Sequence, residues 1–241
     1  NPITGKKVLD SKGEPVRIPG KLKAVKGIGW YIEEYGIAQI SYNLTNISIT
    51  PMHIAFDETV KAAQQRGLRV TGSELVGLIP LKAMLAAADY FLGKQQRSLG
   101  IAESEKIKIA IKSLGLDDLK PFNPHEKIIE YVLEKEDDKK LIDLSLTDFA
   151  DVTASESVAP GGGSIAAYTG ALGAALGAMV ANLSSHKAGW DDKWKYYSDW
   201  AEKGEAYKNK LLFLVDEDTK AFGKIIDGFR MPKGTTEEKE R

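Results

Sequence analysis

Residues 158–164 read Val-Ala-Pro-Gly-Gly-Gly-Ser and open a run of small residues that continues to Leu183. A proline followed by three glycines is typical of a turn that leads into a helix N-terminus, where backbone N–H groups are bare. The stretch therefore predicts a place where an anion or a flat ligand can approach the backbone. The helix predicted behind it, over residues 165–183, is mostly Ala and Gly, which lets a neighbouring helix pack closely. A turn that serves packing alone is the alternative explanation for the same glycines.

The composition is that of an ordinary folded protein. The chain has 241 residues, 43% of them hydrophobic and 28% charged, which allows one or two domains. Its net charge of −1 argues against a nucleic-acid partner. Cysteine is absent, which excludes disulfides, thiolate nucleophiles and Cys-based zinc sites. With no apolar segment at the start of the sequence, we expect a cytoplasmic location.

Two further features of the sequence limit its function. The three histidines lie far apart and lack metal-ligand spacing, so we expect no metal. The Ala/Gly run is long enough for a membrane span, but its small residues and the absence of a basic flank favour a bundle helix. The chain starts at Asn1 and finishes in a Thr-Thr-Glu-Glu pattern typical of a helix start. We therefore expect it to be an internal piece of a longer protein.

Residues 1–135 predict an α+β domain. Two strand patterns joined at Gly36 indicate a hairpin, and Pro51 precedes an apolar helical repeat. The predicted strands cover residues 23–34, 37–44 and 68–78, and the predicted helices cover 52–66, 81–92, 103–114 and 125–133. The order strand, strand, helix, strand, helix indicates a ferredoxin-like unit that lacks its first strand and helix. On the second strand Gln39, Ser41 and Asn43 share a polar face, which suits either a ligand or plain solvent.

A charged run over residues 136–142 predicts a solvated linker to a second domain, residues 143–241, in which every predicted element is helical. The fold class is thus α+β followed by an all-α helical fragment. On the last long helix Asp218 falls within an apolar stripe with Leu211 and Phe222, whereas Asp216 lies about 200° around the helix. A carboxylate among apolar neighbours either meets a cation or serves chemistry. Asp218 is therefore the first candidate for a general acid or base and Asp216 the second, with a structural salt bridge as the alternative.

Six motifs occur in order along the chain. They are Gly-Ile-Gly-Trp-Tyr-Ile-Glu-Glu (27–34), Ala-Gln-Ile-Ser-Tyr-Asn-Leu-Thr-Asn (38–46), Gly-Ser-Glu-Leu-Val-Gly-Leu-Ile-Pro-Leu (72–81), Ile-Ile-Glu-Tyr (128–131), Ala-Pro-Gly-Gly-Gly-Ser (159–164) and Leu-Val-Asp-Glu-Asp-Thr-Lys-Ala-Phe (214–222). The first four resemble the C-terminal subdomain of glutamate formimidoyltransferases. The last two resemble the start of formimidoyltetrahydrofolate cyclodeaminases. Together they resemble the bifunctional formimidoyltransferase-cyclodeaminase family of histidine degradation.

This resemblance implies two folate reactions. The first moves a formimino group from N-formimino-L-glutamate to tetrahydrofolate, the co-substrate, and the second closes the product to 5,10-methenyltetrahydrofolate with loss of ammonia. The resemblance implies that the transferase histidine lies in a subdomain absent here, so that Gln39, Ser41 and Asn43 would supply only a tunnel wall. It also implies a catalytic aspartate at Asp216 or Asp218.

The resemblance further implies that the glycine turn, Gly161, Gly162, Gly163 and Ser164, approaches the pterin or its glutamate tail, and a side chain at Gly162 should obstruct it. The helical domain is expected to form homo-oligomers. The competing hypothesis is a helical assembly module with an α+β ligand-binding appendage. In that case the Ala/Gly helix would be an oligomer interface and Asp218 a buried ion pair.

Overall fold

The computed structural model describes residues 6–16, 20–134 and 140–231. The chain separates into two compact units, residues 1–71 and residues 72–241. The predicted linker at 136–142 lies mostly outside the described residues, as does the helix start predicted at Thr235 and Thr236. The proposed boundary between an α+β and a helical domain at that linker therefore stays a prediction.

The first unit holds the predicted hairpin and one helix. Strands β1 (Val25–Ile32) and β2 (Ile37–Leu44) pair antiparallel, and the turn between them has a left-handed residue at Gly36 with φ +63°. Helix α1 (Met52–Gln64) follows Pro51, as predicted. The Tyr42 hydroxyl lies 2.8 Å from the Thr59 hydroxyl of α1, so the hairpin and the helix are in direct contact.

The second unit begins with a group of four helices. These are α2 (Leu81–Lys94), α3 (Glu103–Leu114), α4 (Pro124–Lys127) and α5 (Ile129–Leu133). Helices α2 and α3 pack through small and aliphatic side chains, and Met84, Ala110 and Leu114 are all buried. Helix α3 ends at Gly115, which adopts the left-handed conformation common after a helix. The predicted helix over 125–133 is broken at Ile128, whose extended backbone bridges to Ile79.

The ferredoxin-like part of the fold prediction is not confirmed. The strand predicted over residues 68–78 does not form, and the described residues contain one sheet of two strands. The cause is a contact distant in sequence, because backbone groups that a strand would pair are used elsewhere. The Ser73 N–H donates to the Gly115 carbonyl at 3.0 Å, and the Ser73 hydroxyl donates to the Leu114 carbonyl at 2.7 Å. Gly77, at φ +87°, then turns the chain out of the extended conformation.

The rest of the second unit is helical, as predicted. A short 3-10 turn, Leu141–Asp143, leads to α6 (Leu146–Ala154), which is capped by the Ser145 hydroxyl. Helix α7 (Gly162–Ser185) is the Ala/Gly helix. A second 3-10 turn, Asp191–Lys193, precedes the long helix α8 (Trp194–Arg230).

Helices α7 and α8 pack antiparallel along a seam of small residues. On α7 four of the five buried residues recur every seven positions, at Ser164, Ala171, Ala178 and Ser185, and the fifth is Ala181. At one end of the seam the helix backbones approach closely, since a Cβ on Gly204 would lie only 2.8 Å from the Ala178 Cβ. This packing explains the composition of α7, and it brings the N-terminus of α7 beside residues 215–219 of α8.

Candidate functional site

Asp218 and the glycine turn meet at the N-terminus of α7. The Ser164 backbone N–H donates to the Asp218 Oδ2 atom at 2.9 Å, and Gly161 is the residue that precedes the helix. The carboxylate thus satisfies one of the N–H groups that a helix leaves without a partner at its N-terminus, and its charge is favourable there. The two elements that the sequence singled out separately are therefore in one place.

Ser164 fixes this junction from inside the seam. Its side chain is fully buried, and its hydroxyl lies 2.8 Å from the Val215 carbonyl, 3.2 Å from Asp218 Oδ2 and 3.4 Å from the Thr219 hydroxyl. A hydroxyl has one hydrogen, so the shortest contact identifies Val215 as the acceptor and leaves the Ser164 N–H as the main donor to Asp218. Ser164 therefore holds α7 to α8 and orients the carboxylate at the same time.

The three glycines of the turn have different surroundings. A Cβ on Gly163 would lie 2.5 Å from the Asp218 carboxyl carbon, closer than real Cβ contacts allow. A Cβ on Gly162 would meet nothing within 4 Å, and one on Gly161 would only touch Asp218 Oδ2 at 3.8 Å. A side chain at Gly162 would therefore not clash with the turn itself, and the expectation that it obstructs ligand approach stays a prediction. Gly163 is the glycine that the approach of Asp218 requires.

Two observations describe the charge at this site. Among the N–H groups at the N-terminus of α7, that of Ser164 already donates to the Asp218 carboxylate of the same chain. None of the described lysines, arginines or histidines of this chain forms an ion pair with Asp218, and the assembly alternative, in which Asp218 is a buried ion pair, stays a hypothesis. A ligand at the turn would therefore meet a carboxylate, which favours a cationic or N–H-bearing group over a second anion.

The apolar stripe predicted on α8 is only partly buried. Val215 is fully buried and Leu211 faces Gly170 of α7, but Phe222, Ile225 and Phe229 are exposed. Asp218 lies seven residues after Leu211 and faces the same neighbour helix, as its position in the stripe predicted. Its immediate surroundings are polar backbone and hydroxyl groups rather than the apolar side chains that we expected.

Asp216 lies on a different side of α8 and holds another segment. Its Oδ1 atom accepts the Leu141 N–H at 2.6 Å, which ties the 3-10 turn before α6 to α8. Its Oδ2 atom is buried and has no hydrogen-bond partner among the described residues. The two candidate carboxylates thus differ in geometry, and only Asp218 contacts the glycine turn.

The candidate residues of the first unit lie on β2 in a mixed environment. Gln39 and Ser41 are half-buried and Asn43 is exposed. The register places Trp30 opposite Gln39, Ile28 opposite Ser41 and Lys26 opposite Asn43, so this face is not purely polar. The polar alternation of β2 does not predict Trp30 and Lys26 on this face, because they come from β1, and only the hairpin register places them there.

Sequence reasoning also missed the groups of α8 beside Asp218 that contact Ser164. The Thr219 hydroxyl and the Val215 carbonyl complete the junction with Ser164. A hydroxyl next to a candidate acid was visible in the sequence, but a backbone carbonyl leaves no signal there. No group of three or more His, Cys, Asp or Glu residues in the described ranges is arranged to hold a metal ion.

Comparison with known proteins agrees with these motifs. Residues 5–134 match the model of the formiminotransferase domain, and residues 145–241 match that of the formiminotransferase-cyclodeaminase family. The formimidoyltransferase-cyclodeaminase of Gallus gallus is 42% identical over 234 residues, which is 97% of this chain and 43% of that protein. This chain thus spans less than half the length of that relative.

Two relatives with other names match shorter stretches. A methenyltetrahydrofolate cyclohydrolase of Methylorubrum extorquens is 36% identical over 95 residues, 39% of this chain and 46% of that protein. A glutamate formimidoyltransferase of Streptococcus pyogenes is 37% identical over 73 residues, 30% of this chain and 24% of that protein. The resemblance inferred from the motifs is confirmed, and the chain belongs to the formiminotransferase-cyclodeaminase family.

Proposed function

We propose that this chain contributes to a folate-dependent enzyme of histidine degradation and that Asp218 with the 161–164 turn forms part of its cyclodeaminase site. The observation that carries the proposal is the contact between the Asp218 carboxylate and the Gly163–Ser164 backbone. The names of the relatives support the substrate class, since they include both a formimidoyltransferase-cyclodeaminase and a methenyltetrahydrofolate cyclohydrolase. Tetrahydrofolate is then a co-substrate.

The chemistry of the proposed substrate suits a carboxylate at this position. A formimino group on a folate ring nitrogen is an amidine, which is cationic when protonated. In the reaction the second folate nitrogen attacks the amidine carbon, a C–N bond forms, and the C–NH₂ bond then breaks to release ammonia. The attacking nitrogen loses one proton and the leaving nitrogen gains one, so that the positive charge ends on the methenyl product.

Asp218 has the right atoms for that transfer. Its Oδ2 atom is held by Ser164, whereas its Oδ1 atom makes no hydrogen bond with the described residues. In our proposal Oδ1 pairs with the amidinium, accepts the proton of the attacking nitrogen and returns it to the leaving amine. Gly161 and Gly162, which carry no side chain, leave room for the pterin ring beside the turn. The glutamate tail would lie away from the carboxylate.

The transferase reaction is proposed for the complete enzyme rather than for this chain alone. N-formimino-L-glutamate would be the donor, and the Gln39, Ser41 and Asn43 face of β2 would line part of the folate tunnel. The half-buried amide and hydroxyl on that face and the adjacent Trp30 ring are suited to hydrogen bonding and stacking with a pterin or aminobenzoyl ring.

The test of the cyclodeaminase assignment compares two conservative variants of the full-length protein. Asp218→Asn should abolish formation of the methenyl product while the protein keeps its fold and oligomeric state, because the amide cannot accept the proton. Asp216→Asn is the matched control on the same helix and should keep measurable turnover. Unchanged methenyl formation in Asp218→Asn would contradict the assignment of Asp218.

A second role, assembly of copies of this chain, is favoured by a specific feature of α7. Its outer face carries four exposed apolar side chains with heptad-like spacing, namely Leu172, Leu176, Met179 and Leu183. The helix is also 24 residues long and contains an 18-residue stretch with a mean hydropathy of 1.5, enough by length and composition to cross a bilayer. Because its other face packs on α8 through small residues, we propose a protein partner, a second copy, instead of lipid.

The assembly role has its own test. Leu176→Lys should shift the mass of the protein in solution, measured by light scattering, toward the monomer. Ala166→Lys, at an exposed position on a different side of α7, should leave the mass unchanged. Equal masses for both variants and the parent would contradict a role of this face in self-association.

A further inference from the structure

We propose that the loop over residues 98–101, between α2 and α3, is a docking element that fastens residues 72–134, within the transferase-matched region, to the α7–α8 helix pair. The loop lies in the region matched by the formiminotransferase model, and α7 and α8 lie in the region matched by the second model. The proposal concerns how the two parts are held together, and it does not depend on the proposed catalytic role of Asp218.

Hydrogen bonds from both helices reach this loop. The Leu99 N–H donates to the Ser198 hydroxyl of α8 at 2.9 Å, and the Asn182 side-chain amide of α7 donates to the Gly100 carbonyl at 2.7 Å. Ser198 is fully buried, and Ser98, which accepts the Gly100 N–H, is 1% exposed. Backbone groups removed from water in this way need fixed partners, and here those partners come from the other matched region.

Steric contact makes the docking specific to glycine. A Cβ on Gly100 would lie 2.5 Å from the Ala201 Cβ and closer still to the α8 backbone. Ala201 is fully buried, so its side chain cannot move into solvent to make room for a Cβ at residue 100. The loop therefore enters a groove of α8 that only a residue without a side chain can fill.

Electrostatics agree with the same contact. Burial, and in second place the Arg97 guanidinium, lower the pKa of the His186 imidazole at the end of α7. Arg97 is the residue before the loop, so a second loop-side group lies near the C-terminal end of α7 in addition to the contacts made by Leu99 and Gly100. Contacts to Asn182, Ser198 and Ala201 extend over both helices of the pair, which is the arrangement of an interface and not of a single chance contact.

The first experiment measures hydrogen exchange of the Leu99 amide in the uncut chain. Ser198→Ala removes the acceptor and should accelerate exchange at Leu99 at least tenfold. Ser184→Ala is the matched control, because that hydroxyl donates within its own helix to the Val180 carbonyl, and it should leave the rate unchanged. Equal Leu99 exchange rates in the parent and in Ser198→Ala would overturn the proposal.

The second experiment asks whether docking survives loss of the covalent connection. A specific protease site replaces residues 135–139, and the folded protein is cut there and passed over a sizing column. We expect the two pieces of the parent protein to elute together. In the Gly100→Ala variant the pieces should separate. In the control Gly93→Ala, at a glycine of α2 with open space around it, they should still elute together. Separation of the parent pieces would refute the docking role. So would elution of the Gly100→Ala pieces as one complex, as in the parent. Circular dichroism of each uncut variant checks that it has folded.

Discussion

Replacing Gly163 by alanine is the sharpest perturbation of the junction between α7 and Asp218. The new Cβ would lie 2.5 Å from the Asp218 carboxyl carbon and 2.8 Å from Oδ2, whereas ordinary van der Waals contact begins near 3.4 Å. The carboxylate must therefore move away by roughly 1 Å or the helix start must shift. Either movement breaks the 2.9 Å hydrogen bond from the Ser164 N–H.

Two opposing effects determine how Gly163→Ala changes the free energy of unfolding. Loss of a hydrogen bond to a charged acceptor costs about 1.5–3 kcal/mol. Alanine restricts the unfolded chain more than glycine, which returns about 0.4–1 kcal/mol. The net loss of unfolding free energy is then about 0.5–2.6 kcal/mol. Gly162→Ala gains the same entropic term without any clash, so it should be slightly more stable than the parent.

Urea unfolding followed by circular dichroism measures both variants under one condition. We expect the Gly163→Ala midpoint to fall and the Gly162→Ala midpoint to stay or rise, with unchanged slopes. Equal stability of the two variants would refute the assignment of Gly163 as the contact glycine. If Asp218 is the proton carrier, Gly163→Ala should also lose methenyl formation, because the new side chain displaces the carboxylate.

Two further predictions concern groups outside that junction. Burial lowers the pKa of His53, and Asp57 offsets this only in part, so the unfolded chain takes up a proton more readily than the folded one. The unfolding free energy should therefore decrease as pH falls below about 6.5, and His53→Gln should flatten that part of the pH profile in urea titrations; identical profiles would contradict it. Gly115→Ala places a side chain at φ +61° and 2.7 Å from the Gly72 Cα, so it should lose about 2 kcal/mol or more. Gly67→Ala, at φ +70° in open space, introduces only backbone strain and should lose less unfolding free energy. Equal losses in the two variants, measured by urea unfolding, would show that contact with Gly72 is irrelevant.

Most of the helices could be predicted from the sequence because their boundaries are marked by single residues. Gly115 ends α3 in the left-handed conformation, and Ser145 caps α6 with its hydroxyl. The long helices α7 and α8 were predicted from composition and periodicity, which depend on many residues at once. These signals are local, so they do not require knowledge of the neighbours.

The predicted strand over residues 68–78 shows where local signals fail. Its residues are apolar enough for a strand, but a strand also needs a partner, and partners are a property of the whole fold. Ser73 bonds to the end of α3 instead, across about 40 positions of sequence. Nothing in the local pattern distinguishes such a crossing from a sheet edge. The ferredoxin-like expectation depended on this one element.

The sequence predicts which residues form the candidate site better than it predicts the groups that surround them. Asp218 was preferred to Asp216 from its helical position, and the structure brings Asp218, not Asp216, to the glycine turn. Its polar partners were not predicted, because the carboxylate contacts the end of a helix that packs beside it. A sequence shows which side of a helix a residue occupies, but not which part of the neighbouring helix lies opposite.

The spacing along α8 explains why the acid lies at this place. Gly204, Leu211 and Asp218 are seven residues apart and face Ala178, Gly170 and Gly163 in turn, in antiparallel order. Each pair contains at least one small residue, so the seam stays closely packed up to the first residues of α7. A shift of one residue in this register would turn Asp218 by about 100° away from the turn. The close packing that requires the small residues of α7 is therefore also what fixes the carboxylate at its N-terminus, so that the fold and the proposed site depend on the same contacts.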